Sequence, residues 1–163
     1  MKALSLWQPW ASLMMTPAKR NETRSWATSY RGPLVICAAK GGLSKSDLIA
    51  EMSYWHMQSA LGPLVGKPCK LPNGPTDEHP WRWNGVEWSL LPMGAALGIV
   101  ELYDCVPTDK MTQEEIIIER HFGNYEIGRY AWKTRLIKVF DNPFPVKGKQ
   151  GFFNVDIPEE VKA

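Results

Sequence analysis

The sequence predicts an α+β fold: a small β-barrel of about five to six strands, flanked by short helices and carrying an inserted hairpin loop. Two observations lead there. Short alternating or β-branched segments recur from one end of the chain to the other, and the helical patterns between them are brief and irregularly placed. The order reads β-α-β-β-α-β-α-β-β, which lacks the regular strand–helix alternation of a doubly wound sheet. A length of 163 residues suits a single domain over 1–163, with an insertion at about 62–92.

The elements follow in order. Ala3–Trp7 alternates Leu4 and Leu6 inward as a short strand, and Pro9 opens a helix over Pro9–Met15. A strand near Glu22–Trp26 precedes a second, Val- and Ile-rich strand over Gly32–Ala39. Ser44 or Ser46 caps a helix with Leu48, Met52, Trp55 and Ser59 on one face, stopped by Gly62. In residues 62–92, ten of thirty-one are Pro or Gly, the composition of a long loop. Inside it, Asn84-Gly85 stands between alternating residues and predicts a hairpin pairing Trp81 with Trp88, Arg82 with Glu87 and Trp83 with Val86. Ala95–Val106 is a long strand, and Thr112-Gln113-Glu114-Glu115 is a capping box with Met111 and Ile116 as staple. Its helix is expected to end near Phe122-Gly123. Strands over Tyr130–Phe140 and Gly151–Val155 close the chain.

Composition excludes several classes. Cys37, Cys69 and Cys105 are odd in number and far apart, and His56, His79 and His121 are scattered. This argues against a disulfide framework and against zinc, and fits a reducing, cytoplasmic setting with no metal and no cofactor. No apolar run reaches the roughly 20 residues of a membrane span. The first fifteen residues contain Gln8-Pro9, lack a small-residue cleavage site and read as structure.

Net charge is only +2, yet it is unevenly placed. Residues 1–40 hold six basic side chains against Glu22. Residues 41–126 hold six basic and twelve acidic, and residues 127–163 seven basic and four acidic. If the two ends share a sheet, that sheet carries a phosphate-attracting face.

Three segments resemble the ASCH domain family. They are Ser5-Leu6-Trp7-Gln8-Pro9-Trp10-Ala11-Ser12-Leu13, then Lys19-Arg20-Asn21-Glu22-Thr23-Arg24-Ser25-Trp26 with Arg31-Gly32-Pro33-Leu34, and finally Gly148-Lys149-Gln150-Gly151-Phe152-Phe153-Asn154-Val155. The second follows the family pattern G-x-K-x-x-E-x-R-S-W, except that Pro17 replaces the glycine two before Lys19. The resemblance implies a PUA-like barrel that binds RNA, single-stranded nucleic acid or a nucleotide in a basic cleft between the first helix and the barrel. Some relatives resemble enzymes, either amidohydrolases acting on acetylated cytidine or weak ribonucleases. The amidohydrolases use a lysine, a threonine three residues on and a distant glutamate. Lys19 matches the first, but Glu22 occupies the threonine slot and Thr23 is one step off, with Glu114 or Glu115 as the distant acid. Lys19 and Glu22 are therefore the candidate catalytic pair if the protein is an enzyme.

The chemistry of the candidate ligand residues is direct. Arg24 offers a planar donor fork and Lys19 a mobile point charge. Glu22 can orient either cation or accept from a base amino group, and Ser25 adds a hydroxyl. Gln8 stands where strand becomes helix and can read a base edge, while Trp10 can stack on one. Tyr130 and Trp132 alternate with Lys133 and Arg135, so aromatics and cations take opposite faces of one strand. Lys149 and Gln150, just before the last strand, can close the site. The Trp81–Trp88 hairpin puts its three tryptophans on one face, expected in the first place to cover the barrel core, with a lid over the ligand site or a surface for a protein partner as the lesser alternatives.

Overall fold

The fold is described from a computed structural model, over residues 1–65, 81–83, 86–88 and 91–162. The elements are β1 (Lys2–Leu6), α1 (Trp10–Leu13), β2 (Asn21–Arg24), β3 (Gly32–Ala38), α2 (Lys45–Ser53), α3 (Trp55–Val65), β4 (Trp81–Trp83), β5 (Val86–Trp88), β6 (Ala95–Pro107), a 3-10 turn over Thr108–Lys110, α4 (Gln113–Glu119), β7 (Tyr130–Pro145), β8 (Phe152–Asn154) and α5 (Glu159–Lys162). Six strands form one curled half-barrel sheet in the order β2-β7-β6-β3-β1-β8. Only β1 and β3 run parallel, Ala3 opposite Val35; the other pairs are antiparallel. Strands from both ends of the chain, β1 and β8, therefore pair within this sheet, which is the condition for a basic face.

The sequence explains the sheet's centre. In β3 the run Leu34–Ala38 is buried throughout, and such a strand reads as a continuous apolar stretch because both its faces are covered. One face packs with α1 and α3 around Leu4, Leu34, Leu97, Leu102 and Trp132. The other holds Ala3, Val35, Cys37, Phe140 and Phe153, with Val161 of α5 against them. Gly98 lies at a register irregularity of β6, where a Cβ would collide with the Lys138 carbonyl and the Met15 sulfur. Side-chain removal at that position lets Met15 and β7 approach closely.

Edge strands β2 and β8 are bridged by rings instead of backbone hydrogen bonds. Trp26, just past β2, meets Trp132 edge-on at 4.5 Å between ring centroids and Phe152 of β8 at 5.9 Å. Trp132 stacks on Phe152 at 5.3 Å, and its indole N–H donates to the Trp26 carbonyl at 3.1 Å. Trp132 is fully buried at the centre of this group.

Several expectations need correction. The single helix expected from Ser44 to Gly62 is two: Tyr54 takes an extended conformation (φ −65°, ψ 138°) between α2 and α3. Ser53 Oγ donates to the Ala50 carbonyl at 2.6 Å, a back-bond that competes with continued helix. The break turns Met57, Ala60, Leu61 and Leu64 to the core and leaves Trp55 76% exposed, off the expected face. Gly62 lies within α3 and is not its stop. The first helix is a single turn, ended by tighter bonds from Met15 and Thr16 N–H to Ser12 and Leu13. Ser44 does cap α2, accepting from Asp47 N–H at 3.1 Å. The Thr112–Glu115 capping box is present, although α4 stops at Glu119. The β4–β5 register is the one expected; Asn84 and Gly85 lie outside the described residues, as do 66–80, 89 and 90.

Phe152→Ala removes the ring that joins the two edges. It is expected to lower stability by about 3 kcal/mol in urea unfolding, at the low end for buried aromatics because Phe152 is only partly covered.

Candidate nucleic-acid interface

A cleft of about 1570 Å³ opens at one end of the sheet. Its walls come from the end of β1, Trp10 of α1, Lys19 and β2 through Trp26, the residues after β3, the Arg120–Asn124 loop, and the chain over 145–151. Alternation along β2 aims it: Asn21 and Thr23 are buried, while Glu22 and Arg24 share the face toward the cleft. Among the described residues, seven cationic side chains line the cleft (Lys19, Arg24, Lys40, Arg120, Arg129, Lys147 and Lys149) against two carboxylates, Glu22 and Glu51. The chain's net charge is only +2, so the positive charge is gathered here.

Lys19 is 3% exposed, and its ammonium group is fully engaged. It donates to the carbonyls of Asn21 and Phe122, each at 2.7 Å, and stands 3.5 Å from Glu22 Oε2. Two of its protons are thus donated to backbone carbonyls, and Glu22 adds an ion pair. Lys19 therefore ties β2 to the loop after α4. Glu22 also stands 3.2 Å from Arg24 Nε, but the N–H points off the carboxylate, which makes an ion pair without a hydrogen bond. Arg24 keeps part of its guanidinium exposed, with Nη2 reaching the Ser5 carbonyl at 3.5 Å.

The cleft thus brings together Trp10, Lys19, Glu22, Arg24, Ser25, Lys149 and Gln150. It does not include Gln8, Tyr130 or Trp132. Gln8 is 1% exposed: its Nε2 donates to the Pro92 carbonyl at 2.7 Å, and its Oε1 accepts from Ser12 N–H and Oγ at 3.0 and 2.8 Å. Its amide holds the strand-to-helix junction. Trp132 belongs to the core, and Tyr130 packs against that core. On the opposite face of β7, Lys133 pairs with Glu115 at 2.7 Å and Arg135 with Glu101 at 2.5 Å. Glu115 is committed to its cap and to Lys133, away from the cleft. Arg31 pairs with Asp104 and not with Glu22.

Sequence reasoning missed Lys40, Arg120, Arg129 and Lys147. Each is an ordinary charged residue until the fold sets it at the cleft; Arg129, for example, is held by the carbonyls of Asn124 and Thr23 at 3.2 and 3.1 Å. It also missed Ser5, whose alternation in β1 is a usable signal, and the buried Glu119. Glu119 accepts from Arg20 N–H at 2.7 Å, Asn21 N–H at 3.3 Å and the Tyr125 hydroxyl at 3.3 Å. Burial raises its carboxyl above the ordinary value despite these bonds and the nearby Lys19 charge. Burial also pushes the Cys37 thiol up to about 12, so it is not a reactive nucleophile. Among the described residues, no His, Cys, Asp and Glu cluster is placed to hold a metal, and no helix is long and apolar enough to cross a membrane.

The ASCH domain model matches residues 4–144. The chain belongs to the ASCH domain family. The family is PUA-like, and its domains are generally RNA-binding. Activating signal cointegrator 1 of Mus musculus is 36% identical over 159 residues, and that of Homo sapiens 33% identical over 159. Each alignment covers 94% of this chain and 22% of the relative. The chain thus spans about a fifth of the length of these curated relatives.

Two outcomes follow from the site's geometry. Lys19→Met leaves two carbonyls and Glu22 without their buried donor and is expected to cost about 3 kcal/mol in urea unfolding, whereas Arg24→Ala, at a half-exposed group, costs less than about 1 kcal/mol. Glu119 is expected to titrate above about 4.5 in carbon-detected NMR. Because its folded-state value is raised, its contribution to stability is complete below the ordinary glutamate value and is lost as pH rises through the folded one.

Proposed function

We propose that this domain binds single-stranded nucleic acid, RNA in the first place, along the cationic cleft. The observation that carries this reading is the gathering, among the described residues, of seven cations against two carboxylates in one concave site on a nearly neutral chain. Phosphates are the natural complement of such a site, and the backbone contribution to affinity scales with the cations engaged. A volume of about 1570 Å³ exceeds the ~300–1,000 Å³ typical of small-molecule pockets, which favours a strand over a free nucleotide. Membership in a generally RNA-binding family supports the same reading.

The contacts we assign to ligand are Arg24, Lys147 and Lys149, with Ser25 and Gln150 beside them. Lys19 and Glu22 shape the wall. A hydrolase using Lys19 as its reactive group is less well supported, since its ammonium group is buried, donates to two backbone carbonyls and is paired with Glu22. For the same reason Lys19→Ala is a poor probe of binding, because it disturbs the wall itself.

The test is titration of the protein with a labelled single-stranded RNA of about ten nucleotides across a range of salt. Wild-type affinity should fall steeply with salt. The combined Arg24→Ala, Lys147→Ala and Lys149→Ala variant should bind more weakly and show a log–log salt slope shallower by about 2. Absence of binding at low salt, or an unchanged slope in the variant, would overturn the proposal.

A further inference from the structure

We infer that Trp7 is a base-stacking platform in the cleft, so that the ligand is recognised through unpaired bases as well as phosphates; this rests on the nucleic-acid reading above. Trp7 lines the cleft, yet the residue is 57% exposed. Burial of such a ring is strongly favoured in water, and the fold does not bury it. Among the described residues no aromatic ring packs on Trp7, unlike Trp26, whose ring meets Trp132 and Phe152 edge-on.

The ring is nonetheless seated. Gly42, at φ 142°, lies against it so closely that a Cβ there would stand 3.0 Å from Trp7 Cγ. Its backbone is also held: the Trp7 carbonyl accepts from Ala11 N–H at 3.0 Å, and the preceding Leu6 carbonyl from Ala39 N–H at 2.8 Å. One side of Trp7 is thus supported by glycine backbone, and the indole projects on a rigid junction of strand and helix. A preorganised aromatic of this kind stacks with little ordering cost.

Its neighbours suit the rest of a nucleotide. Ser5, two residues before Trp7, lines the same cleft. The Arg24 guanidinium reaches the Ser5 carbonyl. Ser5 Oγ and Arg24 Nε are the buried side-chain polar atoms that lack a hydrogen-bond partner among the described residues. Gly148 crosses directly over Ser5, where a Cβ would strike its hydroxyl, and so carries Lys147 and Lys149 to the same corner. A base on Trp7 would place its phosphates beside Arg24 and these lysines.

The experiment compares an RNA strand of about ten nucleotides with an abasic strand of the same length and charge. Wild-type protein should bind the base-containing strand more tightly. Trp7→Ala should weaken that binding by about ten-fold, leave the abasic strand's affinity unchanged, and keep the wild-type melting temperature. Trp7→Phe should retain most of the affinity. Equal binding of both strands by the wild type, or an unchanged affinity in Trp7→Ala, would overturn the stacking inference while leaving the phosphate-binding reading intact. Failure of the wild type to bind either strand at low salt would remove both.

Discussion

The structure depends on the ring contact that joins its two edge strands. Trp26 follows β2, Phe152 begins β8, and Trp132 lies between them with its indole N–H on the Trp26 carbonyl. Backbone pairing ends at β2 on one side and at β8 on the other, so only side chains hold the curl of the sheet together. Two walls of the cleft follow from these edges. β2 supplies Glu22 and Arg24, and the segment entering β8 supplies Lys147, Lys149 and Gln150.

Charge within the cleft is graded from structural to free. Lys19 is buried, hydrogen-bonded to two carbonyls and ion-paired with a carboxylate, an arrangement that makes its loss costly and its reaction with a ligand difficult. Arg24 is intermediate, paired with Glu22 off the hydrogen-bond axis and partly exposed. Lys147 and Lys149 are exposed. A strand approaching this surface meets solvated cations first and the ordered Arg24–Glu22–Lys19 series behind them. Glu22 orients the two inner cations without neutralising the outer ones.

Much of the fold was legible in the residues. The unbroken apolar run Leu34–Ala38 marked the central strand, the Thr112–Glu115 pair a capped helix, and the Trp81–Trp88 alternation a hairpin register, because each of these rests on local chemistry. The helix break at Tyr54 was not legible. Its cause is the core's demand for Met57, Leu61 and Leu64, which a straight continuation of α2 would have turned elsewhere. Gln8 misled for a related reason: a polar residue before a helix looks like a ligand group until Pro92 and Ser12 are seen to consume its amide.

By itself the sequence determined the strand-rich α+β class, the family motif from Lys19 to Trp26, and the excess of positive charge at both ends of the chain. These depend on composition, periodicity and short-range spacing. Only the tertiary structure decided which cations share the cleft, since Arg129 reaches the Thr23 carbonyl across 106 residues of chain and Arg120 lines the same cleft as Arg24. It also decided that Lys19 is a tie and not a free charge, and that Trp7 is left uncovered beside Gly42. Burial and hydrogen-bond saturation are properties of neighbours brought from elsewhere in the chain, and no local pattern encodes them.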